Sequence, residues 1–297
     1  MNQLGDLIFS LPVLDSVKRE LNVETYSIIK QDLSPILTSS GLVDEIVPKE
    51  IKFIKKIRKK IFDKAIFFSE SPKSLITSCL LKIREKIGFE TSSLNFLLTR
   101  KVRRSGVPSL SNNRKLGFEI GLKTIHTDYT NILNVPQKNL DNVKEWFKKN
   151  NLNILKTIVI SMNASNQRQD KCLKENRWID VINVLLKKGL NCILSGTELE
   201  KKSLKKTAEK CKIKPKLFIS KKNILDSAAL FKVSSLFIGI DSGSMHLAAA
   251  VGTKCIGIFG RTDPLQTGPM PLKKHIIIKK NNITQITTED IISKVKI

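Results

Sequence analysis

The chain has 297 residues, 41% hydrophobic and 27% charged, which is an ordinary soluble composition with room for two domains. No run reaches the ~18 consecutive apolar residues of a membrane-spanning helix. Gly5, Asp6 and Pro12 interrupt the apolar stretch that a signal peptide would need. The five cysteines (Cys79, Cys172, Cys192, Cys211, Cys255) are scattered without a C-x-x-C pair, and His126, His246 and His275 lie far apart. A reduced, cytoplasmic chain is expected, with neither a disulfide framework nor a metal cage. The formal net charge is +25, with 26 Lys and Arg in residues 1–150 and 26 in residues 151–297, so the excess is not held in a tail. Two Tyr and two Trp offer few platforms for stacking bases, and no nucleic acid is expected as a partner. A basic surface suits anionic lipid heads or phosphorylated glycans instead.

In chain order, the apolar series Leu7, Leu11, Leu14, Val17 and Leu21 predicts an amphipathic helix, with Pro12 in its first turn or bending it. A strand over Tyr26–Lys30, a helix through Ile36 and Leu37 and an extended Glu45–Val47 follow. Lys55, Lys56, Arg58, Lys59 and Lys60 alternate with Ile54, Ile57 and Ile61 at helical spacing and read as a solvated helix face. Then come a strand at Ala65–Phe68, a helix over Ser74–Lys82 and a strand at Ile87–Phe89. Residues 100–113, with Arg103, Arg104, Gly106 and Pro108, read as a mobile basic loop. Helices over Arg114–Leu122 and Leu140–Lys149 lead to the second half.

That half alternates strand Thr157–Met162, polar loop Asn163–Asn176, helix Arg177–Lys188 and strand Asn191–Leu194. Helix Leu199–Cys211, strand Leu217–Ile219 and helix Ile224–Phe231 come next. The expected fold is α/β, with two Rossmann-like halves at residues 1–150 and 151–297 facing a cleft. Only Met1–Leu4 precede the Gly5-Asp6 turn. A buried strand of five or six apolar residues, at about 1.5–3 kcal/mol each, is expected ahead of that turn. The natural chain is therefore expected to begin upstream of Met1.

Residues 236–260, LFIGIDSGSMHLAAAVGTKCIGIFG, carry the strongest pattern. A strand ends at Asp241, a Ser-Gly-Ser turn opens an Ala-rich helix, Gly252 stops it, and a second strand ends at Gly260. The amides of Ser242, Gly243 and Ser244 then sit at a helix N-terminus, where an anion is favoured. The small Ala248, Ala249 and Ala250 let the helix lie close on the sheet. A helix capped by Asp241 or Ser242 and binding nothing is the alternative.

The chain resembles glycosyltransferase family 9, the ADP-heptose:lipopolysaccharide heptosyltransferases. Three blocks carry the likeness: Leu4-Gly5-Asp6 through Pro12, Arg177-Trp178 opening a helix, and Asp241–Ala250 continuing through Gly260 to Thr262-Asp263-Pro264. Residues 49–150 match in pattern more than in letters. The resemblance implies a GT-B fold and metal-independent, inverting transfer of heptose from ADP-heptose to a lipid-linked core glycan. It also implies an enzyme peripheral to the inner membrane on its cytoplasmic side.

It makes Asp6 the base, against the alternative of a helix N-cap. A carboxylate near pKa 4 accepts the proton late, as the new C–O bond forms. The donor-binding set is Ser165, Lys174, Arg177, Glu198, Asp241, Ser242, Gly243, Ser244 and His246. Asp241 beside a diphosphate needs neutralising by backbone donors, a Lys or Arg, or a divalent ion, which is not expected to be required. His246 reads equally as a phosphate donor or a packed helix-face residue. The family usually has Lys two residues before the Trp. Here Asn176 stands there, leaving Lys174 or Arg177 to supply charge. Glu198 is placed to bind ribose hydroxyls, with Glu200 as its rival. Another nucleotide sugar or acceptor, or a non-catalytic binding relative, are the competing readings.

Overall fold

A computed structural model describes residues 3–69, 71–90, 94–105, 108–163, 171–220 and 223–296. The chain divides into two compact units, Met1–Tyr129 and Thr130–Ile297. Ser165 and Gly106 lie outside the described residues.

The first unit opens with helix α1 (Leu4–Glu20). It is followed by β1 (Tyr26–Ile29), α2 (Ser34–Ser40), β2 (Glu45–Pro48) and α3 (Ile51–Ile54). Next come β3 (Ile61–Phe67), α4 (Pro72–Ser78), β4 (Lys82–Phe89), β5 (Arg100–Val102) and α5 (Ser109–Glu119). All pairings are parallel, in two sheets: β1 with β2, and β3-β4-β5. Val13 and Val17 of α1 pack with Leu116 and Ile120 of α5 over Ile87, Phe89 and Val102. Phe9 meets Tyr129 edge to face at 5.9 Å between ring centroids.

Three details correct the sequence reading. Gly5 and Asp6 are inside α1, because the helix starts at Leu4. Pro12 therefore lies well past the first turn. The basic stretch after Glu50 forms only the four-residue α3 and one 3-10 turn at Lys55–Ile57. Six cations in nine residues repel along one face and leave little apolar surface to hold a longer helix. Within the stretch read as a basic loop, Arg100–Val102 pairs with β4, and α5 already begins at Ser109.

The second unit holds α6 (Gln137–Lys149), β6 (Thr157–Ser161), α7 (Glu175–Lys187), β7 (Asn191–Thr197), α8 (Lys201–Lys210), β8 (Lys216–Ser220) and α9 (Ile224–Val233). β9 (Leu236–Ile240), α10 (Gly243–Ala250), β10 (Cys255–Phe259), α11 (Pro264–Thr267), β11 (Ile276–Lys279) and α12 (Thr288–Ile292) complete it. Its six strands are parallel, in the order β11-β10-β9-β6-β7-β8. That is the doubly wound order, with the direction of winding reversing between β6 and β9. β6, β9 and β10 are buried throughout, as expected of parallel strands covered on both faces.

One face of this sheet buries Trp178, Val181, Ile182 and Leu185 of α7, Leu204 of α8 and Ile291 of α12. α9 and α10 pack together and against the sheet, and α6 lies on α9. The helix read as a bridge thus packs with the second unit, which begins at Thr130 rather than 151.

Candidate functional site

In doubly wound sheets, ligands bind beyond the carboxyl ends of the strands where the winding reverses. Here that point lies between β6 and β9, paired through Ser161 and Gly239. Asp241 and Ser242 follow β9 directly. The start of α10 therefore faces the position that the topology reserves for a ligand.

Close packing holds α10 there. A Cβ on Gly257 of β10 would stand 2.9 Å from Met245 Sδ, so a larger residue there would push the Met245 side chain aside. Gly252, at φ +93°, ends the helix in the left-handed region.

Neither Asp241 nor Ser242 caps α10 with its side chain. Ser242 is the N-cap residue of α10 but makes no side-chain cap hydrogen bond. Its buried Oγ has no partner among the described residues. Asp241, 6% exposed, turns its Oδ2 to the ammonium of Lys171, 15% exposed, instead of capping. Thr267 Oγ1 donates to the same oxygen at 3.3 Å. Among the described residues, no acceptor takes the Gly243 or Ser244 N–H. The helix start thus keeps open donors and the positive end of its dipole.

Lys171 and Thr267 are the site residues that sequence reasoning missed. Lys171 lies 70 residues from its partner, and no local spacing signals the contact. Thr267 had a faint signal, since the Thr262-Asp263-Pro264 block starts α11. Asp263 Oδ1 caps it by accepting from Leu265 N at 2.9 Å, and the helix ends on Thr267.

The other donor candidates stand apart from this contact set. Lys174 is the exposed N-cap residue of α7, and Asn176 Oδ1 accepts from Arg177 N at 2.8 Å. Arg177 Nη1 donates to Thr288 Oγ1 at 3.3 Å, towards α12. Glu175 accepts from Lys210 Nζ at 2.5 Å and from Thr207 Oγ1 at 3.0 Å. Trp178 is 1% exposed and belongs to the core. Glu198 is exposed and pairs with Lys201 at 3.2 Å. Glu200 Oε2 accepts from both N and Oγ1 of Thr197 at 2.8 Å, so Glu200 braces its own turn.

His246 is 3% exposed. Burial pushes its pKa down to about 4, with Lys171 and His275 adding to the fall and Asp241 opposing it. Near neutral pH it is an uncharged imidazole with a single N–H to give.

Asp6, in the first unit, is exposed in the first turn of α1. Its position there is the third helical residue, since Gln3 is the N-cap. A carboxylate is favourable so close to the helix start. Among the described residues no group of three His, Cys, Asp or Glu side chains could hold a metal ion, and no helix is long and apolar enough to cross a membrane.

Comparison with known proteins agrees with this architecture. The profile of glycosyltransferase family 9 (heptosyltransferase) matches residues 50–295. Lipopolysaccharide heptosyltransferase 3 of Escherichia coli K12 is 22% identical over 336 residues, covering 99% of this chain and 94% of that protein. The crystal structure of a family 9 glycosyl transferase from Veillonella parvula superposes with a TM-score of 0.85 at 16% identity, covering 98% of this chain and 92% of that one. Escherichia coli heptosyltransferase WaaC, solved with ADP, gives 0.76 at 19% identity, covering 99% and 98%.

Proposed function

Because the chain belongs to glycosyltransferase family 9, we propose that it transfers heptose from ADP-heptose to a lipopolysaccharide-core acceptor, with inversion at the anomeric carbon. The supporting observation is the uncapped start of α10, which lies where the winding reverses, beside an Asp241 already matched by Lys171. The diphosphate lies against the Gly243 and Ser244 amides, with Ser242 Oγ and the remaining Lys171 N–H groups as further donors. As the glycosidic C–O bond breaks, charge grows on the departing phosphate oxygen, and these donors stabilise it most at that stage. Lys171 offsets the Asp241 carboxylate beside the diphosphate, a task Asn176 cannot perform, and the reading includes no divalent ion.

Asp6 is the proposed base. The acceptor oxygen attacks the anomeric carbon, its proton passes to the carboxylate as the new bond forms, and ADP leaves. Glu198 is the proposed ribose contact, since Glu200 is engaged in its own turn. The basic surface is proposed to hold the enzyme on the cytoplasmic face of the inner membrane through anionic head groups.

The test is a mass-spectrometric transfer assay on a core oligosaccharide with ADP-heptose, UDP-sugars and GDP-sugars. Product is expected from ADP-heptose alone, with and without EDTA. Asp6→Asn should lower kcat by about 10²–10⁴-fold while ADP affinity holds. Wild-type turnover in that variant removes Asp6 as the base, and product from another donor only reassigns the sugar nucleotide.

A further inference from the structure

The start of α10 offers open donors, but the charges beside it cancel. Lys171 and Asp241 form a neutral pair, Asn176 adds no charge, and Arg177 is turned to Thr288 at 3.3 Å. A nucleoside diphosphate brings several negative charges, which this set leaves partly unmatched. Further along the carboxyl edge of the sheet, Lys279 gives its ammonium to Gly260 O, and Lys280 pairs with Asp290 at 3.8 Å. Arg261 differs from both. It is exposed and makes no hydrogen bond or ion pair among the described residues.

Arg261 stands two residues past the end of β10. Asp241 N donates to Ile258 O at 3.2 Å, so Asp241 lies level with that end. At the spacing and rise of parallel strands, Arg261 is within about 10 Å of Asp241. The chain then curls back. Asp263 Oδ1 accepts from Leu265 N at 2.9 Å to cap α11, and Thr267 donates to Asp241 Oδ2 at 3.3 Å. Residues 261–267 thus leave β10 beside Asp241 and return to it, with the Asp263 carboxylate spent on the cap. A guanidinium carried by that fixed turn can take two phosphate oxygens in one forked, charge-assisted contact. Lys174, also exposed, stands at the start of α7 instead, outside the turn that closes on Asp241.

We propose that Arg261 is a donor-binding residue which, resting on the transferase reading above, grips the outer phosphate of the nucleoside diphosphate and supplies the charge that the Lys171–Asp241 pair cancels. Calorimetry compares ADP with AMP, which keeps the base, the ribose and the inner phosphate but lacks the outer one. Arg261→Gln should weaken ADP binding by about tenfold and leave AMP binding within about twofold of wild type. Lys254, exposed just before β10, lies at the opposite end of the same strand. Lys254→Gln removes the same charge and should bind ADP as wild type does.

The proposal is overturned if Arg261→Gln binds ADP as wild type does, if AMP binding falls as much as ADP binding, or if Lys254→Gln shows the same loss. An acceptor KM that rises in Arg261→Gln while ADP binding holds also overturns it, and gives the guanidinium to the acceptor. Wild-type protein that prefers UDP or GDP changes only the base, and the comparison then uses that diphosphate and its monophosphate. Wild-type protein that binds no nucleoside diphosphate would sink the transferase reading instead. Calorimetry with inorganic pyrophosphate then decides the residue: binding lost in Arg261→Gln upholds it, and equal or absent binding refutes it.

Discussion

Asn139 Nδ2 donates to Asp226 Oδ1 at 2.7 Å, and this one hydrogen bond ties α6 to α9. Beside it, Val143 and Phe147 are buried, and Trp146 meets Phe218 edge to face at 5.2 Å. Asn139→Ala leaves a partly buried carboxylate without that donor, so the second unit should lose about 1–3 kcal/mol in chemical denaturation. A fragment starting at residue 130 should unfold cooperatively. One starting at 151 loses the burial of Val143 and Phe147, about 1.5–3 kcal/mol each, and should melt lower.

The Lys171–Asp241 pair separates a structural role from a ligand-binding one. Lys171→Met strands a carboxylate that is 6% exposed, at about 3–5 kcal/mol of stability. Adding Asp241→Asn should restore most of that loss in thermal melts. ADP affinity should stay about 10–100-fold below wild type in the double variant, because the cation is still missing. Full recovery of ADP binding would reduce Lys171 to a neutraliser of Asp241.

His246 gives a pH signature. Its folded pKa of about 4 lies below the ordinary 6.5, so between these values the unfolded chain holds a proton that the folded one rejects. The associated stability is complete above about pH 6.5 and is lost as pH falls towards 4. At pH 5 the loss is about 2 kcal/mol relative to pH 7. His246→Asn should flatten that part of the profile in urea melts at pH 5 and pH 7.

Gly252 is a steric test of the turn that ends α10. Its φ is +93°, and an added Cβ would stand 2.2 Å from Asn131 Oδ1. Gly252→Ala should destabilise the second unit by about 1–3 kcal/mol, seen as a lower denaturation midpoint with an unchanged slope.

The centre of the second unit was legible because β6, β9 and β10 are buried throughout and read as unbroken apolar runs. Leu236–Ile240 and Cys255–Phe259 have the bounds that their letters suggest. Arg100-Lys101-Val102 was not legible, since an exposed edge strand carries no apolar run and depends on β4 for its hydrogen bonds. The basic stretch after Glu50 misled through helical spacing: Ile54 reaches the core, but Ile51 stays exposed, too little burial to hold a longer helix. Glycines and small residues marked the start of α10. The groups that complete it, Lys171 and Thr267, reach Asp241 from 70 and 26 residues away. Side-chain contacts over such separations are set by topology, which composition and periodicity do not encode.

A crystal structure with ADP bound examines the donor site without intermediaries. The β-phosphate oxygens should lie within hydrogen-bonding distance, about 2.7–3.2 Å, of the Gly243 and Ser244 nitrogens, with Lys171 Nζ on the same phosphate. A diphosphate bound elsewhere, with those amides unoccupied and Lys171 still turned only to Asp241, would contradict the donor site assigned to this chain.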